Sequence, residues 1–225
     1  MNFDFAIIAR YWPKIAEGLV LTVFICALAL PLGSILGLLV YLARMSRYRI
    51  LSNTALVFIE LVRNIPFLIQ IFIVFYVLPF YGIRFEPLTA GIGCLSVYGS
   101  AYFAEIIRGA IQSVPKGQSE AAKSLGLLYW VTLRRIIFPQ MVGYLIPSAT
   151  NMAITLIKES SVLAVITVAE LTYIGQFIIG KAFAPVEIFS LIALIYWIIT
   201  ALFSLGMRVL EYRCTRFARI GLTTI

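Results

Sequence analysis

Five stretches of roughly 20 or more mainly apolar residues constrain what this 225-residue chain can fold into, because each is long enough to cross the ~30 Å hydrocarbon core of a bilayer. They run over about 15–43, 53–80, 88–111, 141–168 and 187–210. Only helices and closed barrels satisfy their backbone groups in lipid. Runs of this length predict an all-α integral membrane protein with about five transmembrane helices. The composition agrees, with 62% hydrophobic and 12% charged residues against about a half and a quarter in soluble domains. No Gly/Ser-rich linker, low-complexity tract or repeat divides the chain, so 1–225 is read as one domain. The start, Met1-Asn2-Phe3-Asp4, lacks a basic leader, and the run behind it is too long for a signal peptide. That run is expected to remain as a span.

The formal charge is +8, which in a soluble protein would suggest nucleic acid as a partner. Here the cations gather at the ends of apolar runs, the pattern of the positive-inside bias and anionic lipid, and nucleic acid is set aside. Arg44, Arg47, Arg49, Arg108, Lys116, Lys123, Arg134, Arg135, Arg208, Arg213, Arg216 and Arg219 fall on one side, 12 of the 18. Arg10, Lys14, Arg84 and Lys181 fall on the other, while Arg63 and Lys158 lie within runs. The majority side is expected to be cytoplasmic, with the amino terminus outside and the carboxyl terminus inside.

Enzymatic chemistry finds few tools in this chain. It has no histidine, which removes His-dependent hydrolysis and zinc sites of the HExxH type. Cys26, Cys94 and Cys214 form no CxxC pair and read as isolated small hydrophobes, so no metal site is expected. No GxxxxGK[ST] loop is present to cradle nucleotide phosphates. Within the runs, Gly33 and Gly37 make a GxxxG suited to close helix packing. Pro66 should kink the second span.

Between runs three and four, residues 112–140 are polar and basic. Glu120 to Leu125 lacks helix breakers, Gly126 is placed to take a positive backbone angle at a helix end, and Tyr129 to Phe138 has helical spacing before Pro139. Two short helices are expected. Displaying Ala121 and Ala122, the first would present little side-chain bulk to a partner.

The string Gly117-Gln118-Ser119-Glu120-Ala121-Ala122, three residues, Gly126, nine residues, Ile136-Ile137-Phe138-Pro139 resembles the cytoplasmic signature of ABC importer permeases, with Phe138 where Leu is usual. The resemblance implies the type I ABC importer transmembrane fold. It also implies that Gly117, Gln118, Glu120, Ala121, Ala122, Gly126 and Pro139 form a coupling helix that docks on an ATPase subunit. ATP and Mg would then be bound by two such partner subunits and no cofactor by this chain. A second permease subunit, identical or related, and a soluble extracytoplasmic binding protein complete the implied assembly, in a bacterial inner membrane.

Further matches resemble the polar amino-acid branch of that family, the histidine, glutamine, glutamate and arginine type. They are Glu60-Leu61-Val62-Arg63-Asn64-Ile65-Pro66-Phe67-Leu68-Ile69-Gln70, Ala101-Tyr102-Phe103-Ala104-Glu105-Ile106-Ile107-Arg108-Gly109, Val114-Pro115-Lys116-Gly117-Gln118, and Lys158-Glu159-Ser160-Ser161, with Glu159 for Asp, Ser160 for Thr and Asn64-Ile65 where Gly-Thr or Asn-Thr is commoner. An importer of another small solute, such as an opine, a sulfur compound or a small peptide, shares this architecture, and an ATP-independent channel or secondary transporter is the rival of another class.

Ionisable groups inside spans cost roughly 2.5–3.5 kcal/mol each and mark protein interiors or watery paths. Glu60, Arg63 and Asn64 share one helix face, which fits either an ion pair within the helix or a place on the path. Glu105 and Arg108, at i and i+3, read as a structural ion pair that orients the loop. Asn151, Thr155 and Lys158 share a face of span four, with Glu159 beside it and Ser160 following, and are the candidate substrate path. Lys158 and Glu159 offer the two signs that an amino-acid zwitterion requires.

Overall fold

The computed structural model describes residues 4–220, with side chains through Cys214. Helix α1 (Phe5–Arg44) begins at Asp4, whose carboxylate accepts from the Ala6 N–H at 2.8 Å. Its 40 residues extend about 60 Å, beyond a hydrocarbon core, so the helix starts ten residues ahead of the apolar run. Gly33 and Gly37 turn toward α4 (Pro87–Gln112). A Cβ at Gly37 would stand 2.6 Å from the Phe103 Cβ and 2.9 Å from the Ser100 carbonyl oxygen. Backbones approach this closely only where side chains are absent, which is how membrane helices gain packing without a hydrophobic drive. Gly37→Val should cost about 1–3 kcal/mol through overpacking, read as a lower melting temperature in detergent. Gly93→Ala, which meets open space, should melt like the parent.

The second run departs from the expected kinked helix. It consists of α2 (Arg49–Asn64) and α3 (Phe67–Phe72), the latter continuing through a π turn (Ile73–Val77) and a 3-10 turn (Leu78–Tyr81). The two parts meet at 106°. Ile65, ahead of Pro66, takes the extended angles φ −93°, ψ 129° that a following proline imposes, so α2 stops. Gln70 then donates from Nε2 to the carbonyls of Val62 and Ile65 at 2.8 and 2.7 Å. This one side chain occupies acceptors left open by the break. Gln70→Leu should lower stability by about 1–3 kcal/mol by orphaning them. Gln70→Glu, which sets an acceptor against two acceptors, should be worse on the same melting curve.

After α4 come α5 (Lys116–Ser124), α6 (Tyr129–Thr132), a π turn (Leu133–Ile137) and α7 (Phe138–Glu159). The expected separate helix before Pro139 instead flows into span four: Tyr129–Ile166 is continuous over 38 residues. Phe138 donates its N–H five residues back to Leu133, as Leu78 does to Ile73. Both residues precede a proline, Pro139 or Pro79. Lacking an N–H and crowding the carbonyl four residues back, each proline is accommodated by a widened turn. Span four ends as α-helix at Glu159 and continues as a 3-10 segment (Ser160–Ile166), where Thr167 adopts φ 63°. A short helix, α8 (Leu171–Ala182), and the long α9 (Pro185–Ile220) follow.

Among the described residues, four helices are long and apolar enough to cross a membrane, or five if the bent pair is one span. One core joins α1, α3, α4, α7 and the 3-10 segment after it through Ile25, Ile71, Leu95, Leu156 and Leu163. A second joins α1, α8 and α9 through Ile15, Leu171, Ile178 and Ile188. Much of the remaining large apolar surface, on α1 and α9 above all, is exposed, as lipid-facing helices require.

Candidate functional site

The loop helix α5 closes with hydrogen bonds from Leu127 N–H to the Ala122 carbonyl at 3.0 Å and from Gly126 N–H to Lys123 at 2.9 Å. Together with φ 71° at Gly126, these make a Schellman cap, a geometry that glycine enters without Cβ strain. Gly117, Gln118, Glu120 and Ala121 are exposed. Ala122 is not displayed as expected: it is 1% exposed and turned into its own chain. Of the two alanines, one therefore anchors the helix and the other leaves its outer face bare. Pro139 lies past the π turn, in the first turn of α7.

At the end of α4, Arg108 grips the Glu105 carboxylate from Nε at 3.0 Å and Nη2 at 2.7 Å, and its Nη1 donates to Gln112 Oε1 at 2.8 Å. Arg63 reaches Glu105 from α2 at 3.6 Å, and its guanidinium stands 5.4 Å from the Tyr102 ring centroid. The intrahelical pair with Glu60 is not formed. Glu60 instead receives Asn64 Nδ2, at 2.7 Å on its carbonyl and 3.1 Å on its carboxylate. Tyr102 in turn meets Tyr98, with ring centroids 4.9 Å apart, and Tyr98 packs on Phe67. Charge and aromatic contact thus run unbroken from the last turn before the loop to the α2–α3 break.

On α7, Asn151 and Lys158 are exposed and Thr155 and Glu159 half-buried, which leaves this polar face open on the single chain. Thr155 donates its hydroxyl to the Asn151 carbonyl at 3.0 Å. Ser160 belongs elsewhere. It is fully buried, donates to the Ile157 carbonyl at 2.8 Å, and neighbours Cys26 of α1 and Tyr196 of α9.

Sequence reading does not single out Glu170, which lies between runs four and five. Its carboxylate is 0% exposed and accepts from Tyr173 N–H at 2.8 Å, Thr172 N–H at 2.9 Å and Tyr196 hydroxyl at 3.0 Å. The available signal was a lone acid in a long apolar stretch, which costs too much to bury without donors.

Long apolar helices, a bent pair and an open polar face are those of a polytopic membrane protein. The chain belongs to the family described as the binding-protein-dependent transport system inner membrane component, which matches residues 29–216. It is 40% identical over 215 residues to the glutamine transport system permease protein GlnP of Escherichia coli (strain K12), covering 95% of this chain and 98% of that protein. It is also 38% identical to the Probable amino-acid ABC transporter permease protein YckA of Bacillus subtilis (strain 168), over 215 residues, 96% of this chain and 95% of the other. A crystal structure of an amino acid ABC transporter with histidines contains a chain that superposes with TM-score 0.89 at 35% identity, across 95% of this chain and all of that one. The type I ABC importer fold implied by the loop signature is therefore the fold observed, in a multi-pass protein of the bacterial inner membrane.

Proposed function

We propose that this chain is the membrane subunit of an ATP-driven importer, that it translocates polar amino acids by alternating access, and that it performs no catalysis itself. The observation that carries this reading is α5: a helix with a bare outer face at Ala121, capped at Gly126 and seated on its own chain by the buried Ala122. Two ATPase subunits that bind ATP and Mg dock there, a second permease closes the open face of α7, and a soluble binding protein delivers the substrate from outside. Polar amino acids are favoured because the relatives named above are amino-acid permeases and because α7 presents both a cation and an anion.

Orientation follows from charge. With the bent pair as one crossing, Lys and Arg divide 12 to 4; without that crossing they divide 11 to 5. Residues 112–140 fall on the richer side either way, which supports a cytoplasmic coupling loop. The amino terminus is outside when the pair crosses.

Co-purification of the chain with an ATPase, followed by an ATPase assay across the twenty standard amino acids with their binding protein, tests this function. Stimulation by one or a few polar amino acids is expected. Uptake driven by an ion gradient, with no ATPase retained, would favour the secondary-transporter rival.

A further inference from the structure

We propose that Glu170 is a positioning residue for transport, fixing the break after α7 and thereby where Lys158 and Glu159 stand on the open face. This rests on the importer reading above and extends it to a residue that touches no substrate.

Immediately past Glu159 the helix tightens to 3-10 form and then breaks at Thr167, a β-branched residue held at φ 63°. Such a backbone persists only where its surroundings over-determine it. Glu170 supplies that constraint from three directions. Its two oxygens cap the second and third N–H groups of α8 at Thr172 and Tyr173, and Tyr196 binds it to α9. One residue on, Leu171 donates its N–H at 3.1 Å to the Thr22 hydroxyl of α1, which donates at 2.9 Å to the Gly18 carbonyl. Tyr196 also neighbours Ser160, the residue after Glu159. The break is thus tied to α1, α8 and α9 within a few residues of the polar face.

An ordinary helix cap would not need this much. Caps are commonly exposed and supplied by Ser, Thr, Asp or Asn, whereas Glu170 is fully buried and receives a third donor from a separate helix. Among the described residues no Lys or Arg nitrogen pairs with it. All three recorded partners are donors, so an acceptor-only carboxylate satisfies them. An amide at the same place would set an NH2 group against at least one of them.

The test places a single cysteine at Thr155, with Cys26, Cys94 and Cys214 replaced, in the full complex with its ATPase and binding protein. Its reaction rate with a water-soluble maleimide is measured alongside uptake of the twenty standard amino acids. Glu170→Gln should change the labelling rate about tenfold, the scale set by hydrogen bonds to a charged group, and depress uptake comparably while the ATPase still co-purifies. Tyr196→Phe, which removes one hydroxyl, should shift labelling in the same direction by less. If both variants label and transport like the parent, Glu170 is a cap only and the proposal is wrong. Should Glu170→Gln fail to assemble, Tyr196→Phe decides alone. A complex of the unsubstituted chain that takes up no amino acid would overturn the amino-acid reading instead, and the labelling shift still decides whether Glu170 positions the face.

Discussion

Replacing Gly126 with proline is expected to abolish uptake and to strip the ATPase from the purified complex. Proline holds φ near −65°, whereas Gly126 sits at φ 71° and donates its N–H to Lys123. The cap must therefore open, at a cost of about 3 kcal/mol or more. Leu127 would lose its bond to Ala122, the residue that seats α5 on its own chain. On the proposed importer reading, a docking helix without its seat transmits no motion. Gly126→Ala keeps the N–H and meets no neighbour within 4 Å, so it pays only the left-handed strain of about 1–2 kcal/mol. It should retain partial uptake. Paired transport and co-purification assays on the two variants separate loss of the cap from loss of the side-chain-free surface.

The second large effect is expected at the open face of α7. Lys158→Ala and Glu159→Gln should each depress uptake about tenfold or more, with the ATPase still bound. A substrate carboxylate or ammonium that loses a charge-assisted partner in a site closed to water forfeits roughly 1.5–3 kcal/mol. Lys158 is exposed and forms no ion pair among the described residues, while Glu159 is half-buried beside it. Neither is consumed by the chain's own structure, in contrast to Glu105, which is held by Arg108 and Arg63. Uptake that is unaltered in both variants would remove them from the path.

The spans were legible because a bilayer imposes length and polarity on every crossing, and Gly33 and Gly37 because only missing side chains permit such proximity to α4. Gly126 was legible for the same kind of reason: a backbone angle with one preferred residue. What could not be read depends on side chains that act at a distance along the chain. Pro66 signals an interruption, but the 106° bend is stabilised by Gln70 reaching back to Val62 and Ile65. Pro139 signals a helix end, yet the turn before it widens and the helix continues. Arg63 had the Glu60 carboxylate three residues away on its own helix and paired with Glu105 of α4 instead. Adjacent alanines are alike in composition, so which one faces inward waits on the packing of α5. Glu170 stood in a connection, where a carboxylate suggests solvent, and only the arrival of Tyr196 from α9 makes it a buried one.

A single cysteine at Ala121, in a chain whose own three cysteines are replaced, tests the central claim most directly. Intact cells are exposed to a membrane-impermeant thiol reagent, and the isolated complex to a short thiol-directed crosslinker. No labelling from outside, with a crosslink from position 121 to the ATPase, is the result expected. Labelling from the outer medium would contradict it, because a helix facing away from the nucleotide cannot pass on the work of hydrolysis.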